Sequence, residues 1–143
     1  MRVGLVSCSK SKLDHPAPAR ELYSPSHLFS GARCYVERTC DRWFVLSAKH
    51  HLVWPEQVLE PYDQTLDKVS RAERRRWSDV VLAALETEVG DLRGITFEMH
   101  AGAVYLNFGL VDGLLARGAQ VDNPVEGLRQ GERRHFYKEH GYL

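Results

Sequence analysis

No run of apolar residues in this chain is long enough to cross a bilayer, and its start does not resemble a secretory signal. Met1-Arg2-Val3-Gly4-Leu5-Val6-Ser7 reads instead as a short strand. Cysteine is scarce and odd in number: Cys8, Cys34 and Cys40. That excludes a disulfide framework and fits a reducing compartment, so a cytoplasmic location is expected. There is no C-x-x-C pair, and Cys34 and Cys40 would face different sides of a helix, so no metal site is expected. Net charge is missing too: 19 Lys and Arg balance 19 Asp and Glu. Attachment to nucleic acid by bulk charge is excluded, but a local basic groove is not. A Walker loop, a dinucleotide fingerprint, a G-x-S-x-G elbow and an H-E-x-x-H pair are all absent, and no cofactor is expected.

The remainder is an ordinary globular composition. With 143 residues, 43% hydrophobic and 27% charged, the chain suits one domain over residues 1–143 and is too apolar for a disordered segment. Arg2 to Ser7 is a buried strand by its apolar run. A polar loop with Pro16 and Pro18 follows, then Ser24 and Pro25 as N-cap and first helical position. Leu28, Ala32, Tyr35, Val36 and Thr39 share one helical face, predicting a helix to about Cys40. Trp43 to Ser47 is a second strand, and Ala48 to Leu66 is aperiodic and reads as a long loop or a short irregular excursion. Ser70 and Glu73 match a capping box, Trp77, Val80, Val81, Ala84 and Leu85 give the stripe of a second helix, and Gly90 stops it. Ile95 to Met99 is a third strand. Tyr105, Phe108, Val111, Leu114 and Leu115 mark one further helix ending before Gly118, Ala119 to Val121 a fourth strand, and the tail from Pro124 is partly helical.

Alternation of strands and helices implies parallel pairing. The expected fold is a three-layer α/β/α sandwich on a mostly parallel sheet of about four strands. In such sheets ligands bind beyond the carboxyl ends of the strands. Polar residues gather there: Ser7, Cys8, Ser9 and Lys10 after the first strand, Ser47, Lys49 and His50 after the second, His100 and Gly102 after the third, Asp122, Asn123 and Glu126 after the fourth.

Each has an ordinary structural alternative. Ser7 and Ser9 suit a turn cap, Cys8 a small buried residue, Lys10 and Lys12 solvated charges, and His100 a buried, hydrogen-bonded ring. Arg74, Arg75 and Arg76 suit a solvated helix face. Arg133 to Lys138, where charge and aromatics interleave, suits either a polynucleotide or docking of the tail on the domain. In the long loop Tyr62 is placed to stack on a planar ligand and Asp63 or Glu60 to serve as acid, base or electrostatic partner.

The segments SCSKSK (7–12), ARELYSPSHLF (19–29), LSAKHHL (46–52), EPYDQTL (60–66) and HAG (100–102), with Tyr105, resemble a family of small microbial and phage domains of unassigned activity. Relatives carry Gly where this chain has His51, in the turn after Lys49. The cysteine-serine segment and Tyr23-x-x-Ser26 are also similar to a motif of archaeosine synthase, whose catalytic domain resembles uracil-DNA glycosylases. That motif has Pro where this chain has Ser7, Lys-Pro where it has Glu21-Leu22, and His where it has Phe29. The resemblance implies a uracil-DNA glycosylase-like sandwich.

The expected activity is therefore on a nucleobase or nucleoside, free or within DNA or RNA, such as a 7-deazaguanine, by cleavage or exchange at the N-glycosidic bond. The expected catalytic residues are Asp63, His100, Glu126 and Lys49. Ser7, Cys8, Ser9, Lys10, Tyr23, Ser26, Ser47, Tyr62, Gly102 and Tyr105 are expected to bind the ligand. The alternatives are a non-catalytic nucleotide or nucleic-acid module and a partner of a larger base-modification enzyme.

Overall fold

A computed structural model describes residues 1–142. The central sheet has five strands, in the spatial order His51–Val53, Arg42–Ser47, Arg2–Ser7, Thr96–His100 and Gln120–Asp122. Strands β1 (Arg2–Ser7), β3 (Arg42–Ser47), β6 (Thr96–His100) and β7 (Gln120–Asp122) pair in parallel, while β4 (His51–Val53) runs antiparallel on the edge beside β3. Its helices cover both faces. Along each long strand, alternate residues enter opposite cores. Val3, Leu5, Phe44, Leu46, Phe97 and Met99 meet α3 (Arg71–Val89), α4 (Ala103–Leu106) and α5 (Leu110–Ala116). Val6, Trp43 and Val45 meet α1 (Ala19–Leu22), α2 (His27–Thr39) and α6 (Gln130–Glu139).

Several sequence-based boundaries move. The N-cap of α2 is Ser26, whose Oγ accepts from the Phe29 N–H at 3.2 Å, not Ser24. Ser24 and Pro25 instead lie in the turn joining α1 to α2. Ser70 does cap α3, accepting from the Glu73 N–H at 3.2 Å, but Val80 of the expected stripe is exposed while Leu82 is buried. The expected single helix from Tyr105 is broken into α4 and α5, because Gly109 takes a left-handed φ of 116° that ends helical continuity. The stretch expected as a loop holds β4, a two-residue strand β5 (Val58–Leu59) and a 3-10 turn (Leu66–Lys68). β5 pairs antiparallel with β2 (Ala17–Pro18). Strands this short carry no readable period, and their partners are distant in sequence.

Arg74 is not simply solvated. Its guanidinium donates to the Leu66 carbonyl at 2.9 Å and lies 4.7 Å over Phe108, whereas Arg75 and Arg76 face water. The tail docks on the domain: Tyr137 is buried in the α2-side core, and Gly31 of α2 admits it. No helix among the described residues is long and apolar enough to cross a membrane.

Candidate functional site

From β1 the chain crosses to β3 through α2 on one face, and from β6 to β7 through α4 and α5 on the other. β1 and β6 are neighbours, so their outgoing connections part and open a crevice at the switch point. A cavity of about 780 Å³ lies there. One wall is the segment after β1, from Ser7 to Lys12; the opposite wall is α6 and the residues before it. Arg129, Arg133 and Tyr137 recur at a spacing of four, which puts them on one helix face, and all three line the cavity. Asp63, Gln64, Asp67 and Lys68 close one side, and His100, Gly102 and Tyr105 form the floor beyond β6.

Of the expected site residues, Ser7, Cys8, Ser9, Lys10, Ser26, Asp63, His100, Gly102 and Tyr105 line this one cavity. Ser7 Oγ is 3.5 Å from the His100 carbonyl, Ser9 Oγ donates to the Ser11 carbonyl at 2.7 Å, and Ser26 caps α2. Cys8 Sγ is 3.2 Å from the Tyr105 hydroxyl, and burial pushes that phenol well above its ordinary range. Trp77 meets the Tyr105 ring edge-on and donates its indole N–H to the Ser47 carbonyl at 2.9 Å, which fixes the floor to β3.

Five expected residues are placed otherwise. Glu126 is exposed outside the cavity, because its turn after β7 (Glu126 N–H to Asn123 carbonyl, 3.2 Å) points it to solvent. Lys49 is exposed outside the cavity, its Nζ 5.9 Å from the Tyr62 ring centre. Ser47 and Tyr23 are completely buried, so neither touches a ligand directly. Ser47 Oγ accepts the Lys49 and His50 N–H groups at 3.2 and 2.9 Å. Tyr62 does not present a free stacking face. Its hydroxyl is held by Tyr23 at 2.6 Å and Ser47 at 2.7 Å, and Lys12 Nζ lies 4.5 Å over its ring. Partial burial of Lys12 lowers its pKa.

His100 is 3% exposed and both ring nitrogens are engaged, Nε2 with Glu98 at 3.1 Å and Nδ1 with the Tyr137 hydroxyl at 2.7 Å. It therefore reaches the cavity through Tyr137 rather than as a free donor. Burial alone would push the Glu98 carboxyl up, but hydrogen bonds from His100, Arg2 and Thr39 outweigh it and hold the pKa at about 2. Arg2 also bridges Glu98 to Asp122.

Sequence reading missed Asp67, Lys68, Arg129 and Glu98, and placed Tyr137 only within the charged and aromatic run Arg133 to Lys138. The four-residue spacing of Arg129, Arg133 and Tyr137 was a readable signal, and so was a carboxylate inside the apolar strand Ile95 to Met99. Asp67 and Lys68 carried none, because their position depends on the 3-10 turn. Among the described residues no three His, Cys, Asp or Glu side chains gather as a metal-ligand set.

A mostly parallel sheet covered on both faces, with a polar cavity at the carboxyl ends of its strands, defines an open-sheet α/β protein. The chain belongs to a family of unknown function (DUF6884), whose model matches residues 3–139. No curated protein and no solved structure matches it.

Proposed function

We propose that the cavity takes a nucleobase-bearing ligand with a phosphate, and that the domain acts on it at the N-glycosidic bond. The observation that carries this reading is the lining: Lys10, Lys12, Lys68, Arg129 and Arg133 enter the same cavity as Tyr105, Asp63 and Asp67. The cations suit phosphate, the phenol suits a planar base, and a carboxylate suits the positive charge that develops on the sugar. The N-terminal ends of α2 and α6 also face the cavity, through Ser26 and Gln130, and add positive dipole ends. The volume falls within the range of small-molecule sites.

Asp63 and Asp67 supply that carboxylate, since Glu126, also expected to be catalytic, lies outside the cavity. A modified purine such as a 7-deazaguanine is the favoured base, and one inside a duplex must be flipped out. In this reading the sandwich is uracil-DNA glycosylase-like, supported by its three layers and central parallel strands. A cytoplasmic setting is supported by Cys8, Cys34 and Cys40, all unpaired.

A second reading, a non-catalytic nucleotide or nucleic-acid module, is favoured by one observation: neither ring nitrogen of His100 is free to serve a leaving base. Mass spectrometry of molecules retained by the purified protein, followed by a nucleotide and nucleoside turnover screen, separates the two. Release of free base, lost in Asp63→Asn or Asp67→Asn while binding persists, supports the enzyme. Oligonucleotide binding without turnover supports the module. Failure to bind any nucleotide, nucleoside or oligonucleotide overturns both.

A further inference from the structure

Strand β6 points two polar side chains into the α2-side core. Glu98 is 1% exposed and His100 3%. Removing an ionised carboxylate from water is costly, and apolar residues would fill the same space without that cost. Glu98 is compensated by Arg2 Nη2 at 2.7 Å, the Thr39 hydroxyl at 2.9 Å and His100 Nε2 at 3.1 Å. An ionised carboxylate only accepts hydrogen bonds, so the His100 proton on Nε2 faces Glu98. In the neutral ring Nδ1 is then an acceptor, and the Tyr137 hydroxyl donates to it at 2.7 Å. The phenol oxygen keeps its lone pairs, and Tyr137 lines the cavity. Carboxylate, imidazole and hydroxyl thus stand in the order that activates an oxygen for proton transfer or attack.

We propose that Glu98, His100 and Tyr137 form a proton relay that makes the Tyr137 phenol oxygen the proton acceptor of the cavity. It deepens the reading above and rests on it for the group that surrenders the proton, a water molecule. As water attacks the anomeric carbon, its proton moves to the Tyr137 oxygen. The phenol proton moves to His100 Nδ1, and the imidazolium pairs with Glu98. The carbon–nitrogen bond breaks with its electron pair on the base, which recovers the proton from His100 through Tyr137.

Tyr137 is the catalytic residue, and His100 and Glu98 are positioning residues. Burial raises the phenol pKa, so Tyr137 does not ionise unaided and needs His100 as acceptor. Besides His100, the groups acting on the phenol are Arg133, Glu98 and Tyr35.

The test needs no nucleotide. The folded protein is treated with an aryl sulfonyl fluoride, which bonds through sulfur to an activated phenol oxygen, loses fluoride, and leaves the phenol proton on His100. Peptide mass spectrometry maps the adduct, and ¹⁵N spectra of the imidazole rings report the His100 tautomer. Tyr137 is expected to be the first tyrosine modified, Nε2 to carry the His100 proton, and Glu98→Gln to slow the labelling about 100-fold with the circular dichroism unchanged.

Labelling of any other tyrosine ahead of Tyr137, a proton on Nδ1 alone, or a folded Glu98→Gln labelling at the parental rate overturns the relay. If Glu98→Gln does not fold, the order of labelling and the ring spectrum of the unaltered protein decide. Labelling at Tyr137 in a protein that binds no nucleotide upholds the relay and overturns the nucleotide reading; nucleotide turnover with an unreactive Tyr137 does the reverse.

Discussion

The Tyr62 hydroxyl lies 2.7 Å from Ser47 Oγ, which fastens the long loop after β4 to the carboxyl end of β3. The same hydroxyl meets the completely buried Tyr23 at 2.6 Å. Tyr62 acts here as a bolt between the loop and the α1–α2 turn. Tyr62→Phe keeps the ring but strips Tyr23 of that partner, and is expected to cost about 1–3 kcal/mol. Urea denaturation measures the loss, and hydrogen exchange should show faster opening of residues 54–65. Unchanged stability and unchanged exchange would mean the bolt carries no strain of the loop.

Acid should weaken the fold through Glu98. Its folded pKa of about 2 lies below the ordinary 4.5, so the stabilisation is fully present above 4.5 and is lost as pH falls from there through 2. A shift of that size corresponds to about 3 kcal/mol. Urea midpoints between pH 5 and pH 2 should fall in the parent and fall less steeply in Glu98→Gln. Equal slopes would remove Glu98 from the acid transition.

Gly31 sits where an added Cβ would stand 2.7 Å from Tyr137 Cβ and Cγ. Gly31→Ala therefore forces α6 off α2 and is expected to destabilise the protein by about 1–3 kcal/mol, despite the better helix propensity of Ala. Ligand binding should weaken with it, since α6 carries Arg133 and Tyr137. A stabilised variant would show that α6 shifts freely on α2.

His51 has a left-handed φ of 64°, backbone that Gly adopts without cost. Left-handed backbone costs a side chain about 1–2 kcal/mol, offset in part by the greater unfolded freedom of Gly. His51→Gly is expected to raise stability by about 0.5–1 kcal/mol in thermal or urea unfolding. Loss of stability would mean that the half-buried ring contributes more packing than the turn costs.

The four parallel strands and the capped helix α3 were legible because each has an apolar run or a cap long enough to register. The β2–β5 ribbon and the break at Gly109 were not, since both depend on pairing or backbone geometry that sequence period does not record. Much of the cavity lining was legible from the strand ends alone: Cys8, Lys10, His100 and Gly102 follow from topology. Burial was not. Nothing in Ser47, Tyr23 or Tyr62 reveals that their hydroxyls satisfy one another, and nothing after Asp122 reveals that Glu126 turns outward.

The two walls of the cavity, Ser7 to Lys12 and the face of α6, come from segments far apart in the chain. Contacts between such distant segments carry the loop-closure cost of the chain between them. A ligand that bridges the Lys10 and Arg133 walls would bind only the docked arrangement, and its free concentration would then set how firmly α6 is held. The protein would unfold from that edge first when empty and from elsewhere when loaded.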